Sequence, residues 1–279
     1  MIELVVEGIW GWDYLTVGQG TVIVSEPMIH LKSDRETGKI RDSCRIAAEA
    51  MVRVAEVLEL GVTTGELDAA ADRFIRKQGA VASAKGYKGY PRSICVSVND
   101  EIVHGIPGEK VLGEGDILAV DIAVRKDGYH GDMNVTFALE ADDDALRLVE
   151  TTRQAMEAGL KTCTPGSRLG DIGNAIQLPV EAAGYSIVRE YCGHGIGRSF
   201  HEEPQVLHFG APGTGRRLQP GMVFTIEPMV NQGGPEVRVL DDDWTALTVD
   251  GSLSAQFEHT VAVTRDGPDI LSRFEDLPY

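Results

Sequence analysis

At 279 residues the chain is long for an average domain, yet within reach of one large α/β unit built on a single core. Apolar residues make up 43% and charged residues 25%, close to the globular norm, which excludes wholesale disorder, collagen and coiled coil. Basic side chains number 26 against 43 acidic ones; the net charge of −17 repels phosphate backbones and anionic lipid, so nucleic acid is excluded as the main ligand.

Residues 1–27 hold two of the three tryptophans, four glycines and no helical period, and read as strand-like or irregular. They are either an N-terminal extension or, since Met28 opens MIHLKSD, a mis-assigned start. Ser33 then opens a capping box, SDRE, and Ile40, Cys44, Ala47, Met51, Val54 and Leu58 recur at helical spacing up to Gly61. A second helix is expected from Thr64 to Gly79, with Leu67, Ala70, Ala71, Phe74 and Ile75 on its apolar side. SICVSV, ILAVDIAV and YHGDMNVTFAL read as strands, rich in β-branched residues and separated by Pro/Gly and Asp-Gly turns. The acidic run ADDD suits a helix N-terminus, and Leu146, Val149, Met156 and Leu160 mark a third helix, followed by a shorter fourth. MVFTIEPMV, EVRVL, WTALTV and SAQFEHTVAVT close the chain as strands. GELDAAADRFIRKQG and GDIGNAIQLPVEAAG have equal length, and each follows a long helix and precedes strands. Two similar halves are therefore expected, near 30–140 and 142–270. Cys44, Cys95, Cys163 and Cys192 show no CxxC spacing, and no run of 18 apolar residues suggests export or a membrane span. A cytoplasmic protein with reduced thiols is the reading.

Asp121 interrupts the apolar run ILAVDIAV, and a lone carboxylate there is costly to bury unless a cation or strong donors meet it. If Asp127-Gly128 is a two-residue hairpin loop, residue 123 pairs with 132 and Asp132 falls diagonal to Asp121 on one sheet face. The competing reading has Asp132 capping a turn and Asp121 paired with an arginine. Glu227 in VFTIEPM and Glu258 in SAQFEHTVAV repeat the oddity in the second half. Embedded carboxylates in both halves ask for a divalent metal, and an added imidazole favours Mn, Fe, Co or Zn over Mg or Ca. GHGIGRSFHEEP offers His194 and His201 in a glycine-rich stretch where backbone approaches a ligand closely, and His104 precedes a Gly/Pro turn after a short strand. Strand alternation turns His259 away from the face of Glu258, while His130 shares the face of Asp132 if the strand is regular. His30 and His208 are expected at the surface.

VNDEIVHGIP, VDIAVRKDGYHGDMNVTF, GHGIGRSFHEEP, TIEPM and SLSAQFEHT, in this order, closely resemble the type I methionine aminopeptidases over roughly residues 34–270. The resemblance implies the creatinase-like "pita-bread" fold, an α/β (α+β) class with two pseudo-symmetric αα-β halves around a central antiparallel sheet, in one catalytic domain over residues 28–279. It implies Asp121, Asp132, His194, Glu227 and Glu258 as ligands of two divalent metal ions (Co, Mn, Fe or Zn), with Asp132 and Glu258 bridging. His104 and His201 fall on the family's non-ligand catalytic histidines, and Glu227 is the expected proton shuttle. The methionine pocket maps onto Tyr87, Tyr90, Cys95, Phe200 and Trp244, types that suit a polarisable thioether. Ala84 stands where bacterial relatives often carry cysteine at the pocket mouth. Asn99 and Ser254 match a peripheral monovalent-cation site.

The activity so implied is removal of the initiator methionine from nascent proteins and peptides with a small second residue. The expected partner is a chain bearing a free N-terminal methionine, with transient ribosome contact, no membrane attachment and a monomeric state. Two other readings compete: a prolidase or Xaa-Pro aminopeptidase with the same ligands, and a metal-free peptide-binding protein of the same fold.

Overall fold

The computed structural model describes residues 28–273, so the readings of residues 1–27 lie outside the described residues. Four helices follow the expected order: α1 Asp34–Val57, α2 Thr64–Lys77, α3 Asp143–Lys161 and α4 Leu169–Ala182. The SDRE box closes α1 as its spacing demands. The Ser33 hydroxyl accepts from the Glu36 N–H at 3.4 Å, and the Glu36 carboxylate accepts from the Ser33 N–H at 3.0 Å. Tyr129 from the sheet adds its hydroxyl to the same carboxylate at 3.0 Å. Ile40, Cys44, Ala47, Met51 and Val54 form the fully buried stripe of α1. In α3 the buried stripe is Ala145, Leu148, Thr152, Ala155, Met156 and Leu160. The expected Leu146 is exposed instead, because it lies one residue, about 100° of helical rotation, off that stripe.

The central antiparallel sheet has eight strands in chain order: β1 Cys95–Val98, β2 Ile117–Asp121, β3 Met133–Ala138, β4 Gly193–Gly195, β5 Glu202–Val206, β6 Val223–Ile226, β7 Glu258–Thr264 and β8 Gly267–Ile270. Across the sheet they run β5-β4-β6-β7-β3-β2-β1, with β8 also on β7. From the β3–β7 seam outward, the first half contributes β3, β2, β1 and the second half β7, β6, β4, an ordering that matches strand for strand. The helices repeat likewise. The residue before α2 bridges to Val111, and the residue before α4 bridges to Arg217. Gly65 N–H donates to Gly108 O at 2.8 Å, and Gly170 N–H to Thr214 O at 3.0 Å. The two expected halves, and the mixed α/β class, are therefore present in space.

Asp127 and Gly128, with φ of 48° and 83°, form the two-residue turn that the strand parity required. Val124 pairs with Gly131 beyond it, and the same register continues to Asp121↔Asn134 and Ile117↔Ala138. Asp132 therefore lies diagonal to Asp121, as expected. The long strands read from sequence are not continuous, however. ILAVDIAV splits after Asp121, YHGDMNVTFAL splits at Asp132, MVFTIEPMV splits at Glu227-Pro228, and SAQFEHTVAVT splits just before Glu258. The outer pieces bend away into separate three-stranded sheets, 124–126 and 129–131 with 81–82, and 229–231 and 254–256 with 186–187. Each candidate carboxylate thus sits where a strand changes sheets, and its side chain turns inward at the bend.

Ser33→Ala should lower stability by about 1 kcal/mol, read as the shift in denaturant midpoint at constant m. The Ser33 donors, with Tyr129, hold the Glu36 carboxyl down to about 2 from an ordinary 4.5. Its folded-state pKa lies below the unfolded one, so its contribution is complete above about 4.5 and is lost as pH falls toward about 2. A stability difference between the wild type and Glu36→Ala that narrows across that window checks the sign.

Candidate metal centre and pocket

The strand breaks converge on one place. Asp121 ends β2, Asp132 precedes β3, Glu227 follows β6, Glu258 begins β7 and His194 is central in β4. Ligand atoms of Asp132, His194 and Glu258 all lie within 4.8 Å of one another. His194 Nε2 stands 3.8 Å from Asp132 Oδ2 and 3.7 Å from Glu227 Oε1, too far for hydrogen bonds. Asp121 and Asp132 line the same pocket as neighbouring acids. All five residues expected to ligate metal are therefore together.

Burial and mutual charge dominate their electrostatics. Burial raises Asp121 to about 7 and Glu227 to about 8. It lifts Asp132 and Glu258 well above the usual carboxylate range, and repulsion from the neighbouring carboxylates adds to it. Among the described residues no arginine pairs with Asp121, and the group that acts on it is another acid, Asp132. Asp132 does make one local turn-type bond, from the Met133 N–H at 3.0 Å to Oδ1, without losing its place in the cluster.

The residues fit divalent metal. Glu258 Oε1 is buried without a hydrogen-bond partner, which costs free energy unless a cation meets it. His194 Nδ1–H donates to Gly195 O at 2.9 Å, which leaves the Nε2 lone pair facing the carboxylates. Donors bonded at about 2.0–2.2 Å to a common ion stand about 3–4 Å apart, the separation found around Nε2. Four ionised carboxylates carry a charge that two divalent cations would balance.

Glycines beside these residues serve a different purpose from the one expected. A Cβ on Gly193 would sit 2.4 Å from Thr225 O, and one on Gly131 would sit 2.5 Å from Cys44 N. They admit a neighbouring strand and helix α1 rather than a ligand. His104 holds φ +61°, a left-handed conformation that side-chain-bearing residues rarely adopt, and such strain concentrates at functional sites. Its ring lies edge-on to Tyr191 and Trp244, with centroids 5.4 and 6.0 Å away. Burial lowers its pKa to about 4. The His201 ring lies 4.1 Å from that of His194, and its Nδ1 bonds the Tyr87 hydroxyl at 2.9 Å. Burial, then the charges of His194 and His104, hold His201 neutral. The loop bearing Phe200 and His201 is anchored by Glu202, which pairs with the buried Lys32 ahead of α1 and accepts from the Ser199 N–H at 3.0 Å.

Tyr87, Tyr90, Cys95, Phe200 and Trp244 line one pocket with the carboxylates, and Ala84 is at its wall. Tyr90 is fixed by its hydroxyl to Ile94 O and Gly105 O, at 3.1 and 2.9 Å, and packs edge-on against Trp244 at 5.1 Å. Cys192, Met229 and Gln256 also line it, and sequence reasoning passed over them. Each stands two residues from a candidate ligand, His194, Glu227 and Glu258 in turn, across a strand end or break, so that proximity in sequence was the only signal for them.

The remaining histidines divide. His130 is held to Ser83 Oγ at 2.8 Å and stacks on Phe200 at 5.5 Å, a satisfied polar contact. His259 is buried away from the cluster and bonded to Ser272 Oγ at 2.8 Å. His208, expected at the surface, is fully buried, and its Nε2 accepts the Glu227 N–H at 3.1 Å. Asn99 and Ser254 are adjacent, with the Ser254 N–H donating to Asn99 O at 2.8 Å. The Asn99 side chain is committed to Asp116 and the Ile117 N–H. All four cysteines are free, and no helix among the described residues is long and apolar enough to cross a membrane.

The profile of metallopeptidase family M24 matches residues 38–265. Methionine aminopeptidase 1 of Bacillus subtilis (strain 168) is 50% identical over 247 residues, which cover 88% of this chain and 100% of that protein. Methionine aminopeptidase of Escherichia coli (strain K12) is 47% identical over 251 residues, covering 89% of this chain and 95% of that one. Among solved structures, methionine aminopeptidase from Rickettsia prowazekii aligns with a TM-score of 0.87 at 42% identity, over 88% of this chain and 100% of that chain. A prolidase from Pyrococcus horikoshii OT3 aligns at 0.70 with 21% identity, over 89% of this chain and 65% of that one, a likeness that shows the fold alone. With the family profile spanning both halves and near-half identity along almost the whole length of such relatives, the chain belongs to metallopeptidase family M24, within its type I methionine aminopeptidases.

Proposed function

We propose that this chain is a divalent-metal-dependent aminopeptidase that removes the N-terminal methionine from peptides and nascent proteins, with Asp121, Asp132, His194, Glu227 and Glu258 holding the metal. The observation that carries the reading is the buried cluster itself: four carboxylates and one imidazole lone pair meet at the floor of an apolar, aromatic pocket. Divalent ions bound there would supply Lewis acidity and lower the pKa of water to the range of physiological pH.

The protein's own groups account for the rest. Tyr87, Tyr90, Cys95, Phe200 and Trp244 enclose a space of apolar and aromatic character, which receives a flexible thioether through dispersion and sulfur–aromatic contact. Glu227, at the edge of the cluster, is the carboxylate that would take a proton from the attacking water and return it to the leaving amine. His201, neutral and tethered through Nδ1 to Tyr87, would donate from Nε2 to the scissile carbonyl or peptide nitrogen. His104, packed edge-on against Tyr191 and Trp244 in the same pocket, would donate to the oxygen that gains charge as the carbonyl becomes tetrahedral. A small second residue, a cytoplasmic setting, transient ribosome contact and a monomeric state extend the reading from the family resemblance. A monovalent cation near Asn99 and Ser254 would draw on backbone carbonyls, since the Asn99 side chain is engaged elsewhere.

Incubated with Mn, Fe or Co, the protein should release methionine from Met-Ala-Ser and leave Xaa-Pro peptides uncut. Failure with all three metals would sink the assignment, and preferential cleavage of Xaa-Pro would transfer it to the prolidase reading. His104→Ala should lower kcat by about 10²–10³-fold, the usual cost of one donor to a developing oxyanion, with bound metal unchanged by elemental analysis. Metal loss in that variant would make His104 a ligand.

A further inference from the structure

Two threonines stand directly opposite each other on the central sheet, Thr225 of β6 and Thr260 of β7. Thr260 shares β7 with Glu258 two residues away, and Thr225 lies two residues before Glu227, whose carboxylate its hydroxyl meets, so both face the cluster. Both are fully buried. The Thr225 hydroxyl donates to Glu227 Oε1 at 2.6 Å and accepts the backbone N–H of His194 at 3.0 Å. The Thr260 hydroxyl donates to the backbone carbonyl of Asp132 at 2.8 Å and accepts the Asp132 N–H at 3.2 Å. One donor and one acceptor are used at each oxygen, which satisfies a hydroxyl in a dry interior.

The arrangement answers a problem set by the strand breaks. Where a strand changes sheets at Asp132, its peptide groups leave the ladder, and buried backbone groups without partners are costly. Thr260 supplies both missing bonds from the neighbouring strand. Thr136 does the same for the next break, donating to Gln256 O at 2.5 Å and accepting Gln256 N–H at 3.0 Å, two residues before Glu258. Gly193 brings the β4 backbone against Thr225, leaving only 3.2 Å between an added Cβ and the Thr225 hydroxyl. A hydroxyl on a β-branched side chain with restricted χ1 is a short, stiff strut, and it fixes the ligand backbone more tightly than a long polar side chain would.

We propose that Thr225 and Thr260 are positioning residues that hold the metal-binding geometry, Thr260 by replacing the backbone bonds lost at Asp132 and Thr225 by bridging the His194 N–H and the Glu227 carboxylate. The inference rests on the metal reading above and assigns to these hydroxyls a share of metal affinity rather than only of fold stability.

The experiment is calorimetric titration of metal-stripped protein with Mn²⁺, paired with the visible absorption spectrum of the Co²⁺-loaded form. Thr225→Val preserves shape and removes both bonds; it should weaken the metal by about 10–100-fold, the usual cost of removing a group that orients a ligand, and alter the Co²⁺ bands. Thr225→Ser should keep affinity within about threefold of wild type and leave the bands in place. Thr260→Ser and Thr260→Val repeat the comparison; if the valine variant fails to fold, the serine variant is read against Thr260→Ala for metal affinity at matched folded fraction. Equal Mn²⁺ affinity and unchanged Co²⁺ spectra in wild type and Thr225→Val would overturn the positioning role while leaving the metal reading intact. Wild-type protein that binds no ion would overturn both.

Discussion

The feature on which the rest of the molecule depends is the burial of four acidic side chains against one another at the seam of two half-structures. Such a grouping is strongly unfavourable in a low-dielectric interior, since each carboxylate loses hydration and repels its neighbours. The raised pKa values of Asp121, Asp132, Glu227 and Glu258 express that penalty in the protein as it stands. Hydrophobic packing elsewhere must offset it, and the dense core of helices α1 to α4 on the sheet does so. A site that carries its own destabilisation is ready to be discharged by cations, and that readiness is its chemistry.

Geometry follows from the same constraint. The strands bend at or beside those acids, and the hydroxyls of Thr260 and Thr136 meet the backbone groups of Asp132 and Gln256 at the bends. The aromatic side chains and His104 and His201 then close over the opening left between the sheets. His208 contributes from below by accepting the Glu227 N–H.

Much of this was legible in the chain. Asp121 stood out because an apolar run has no other use for an acid, and the Asp127-Gly128 turn carried enough stereochemistry to place Asp132 beside it. The repeat between residues 65–79 and 170–184 gave two halves, since equal helices after equal lead-ins need equal settings. What escaped was set by three-dimensional partners. The role of His208 depends on a backbone N–H 19 positions away that only the bend at Glu227 exposes. Leu146 misled because one residue of helical phase separates the core from water. Pro228 was a signal for the break after Glu227, whereas the breaks at Asp121, Asp132 and Glu258 were invisible because β-propensity on either side of each acid is unaltered by a change of sheet.

The seam between β3 and β7 has a consequence of its own. It is tied by only two residue pairs, Glu258↔Asn134 and His259↔Met133, whereas β2 and β3 share five and β6 and β7 share four. This weld, narrower than those of its two neighbours, is thus the place where both lobes present their charged groups. The residues that would hold metal come from both lobes, so an ion bound by them would favour the joined state by mass action.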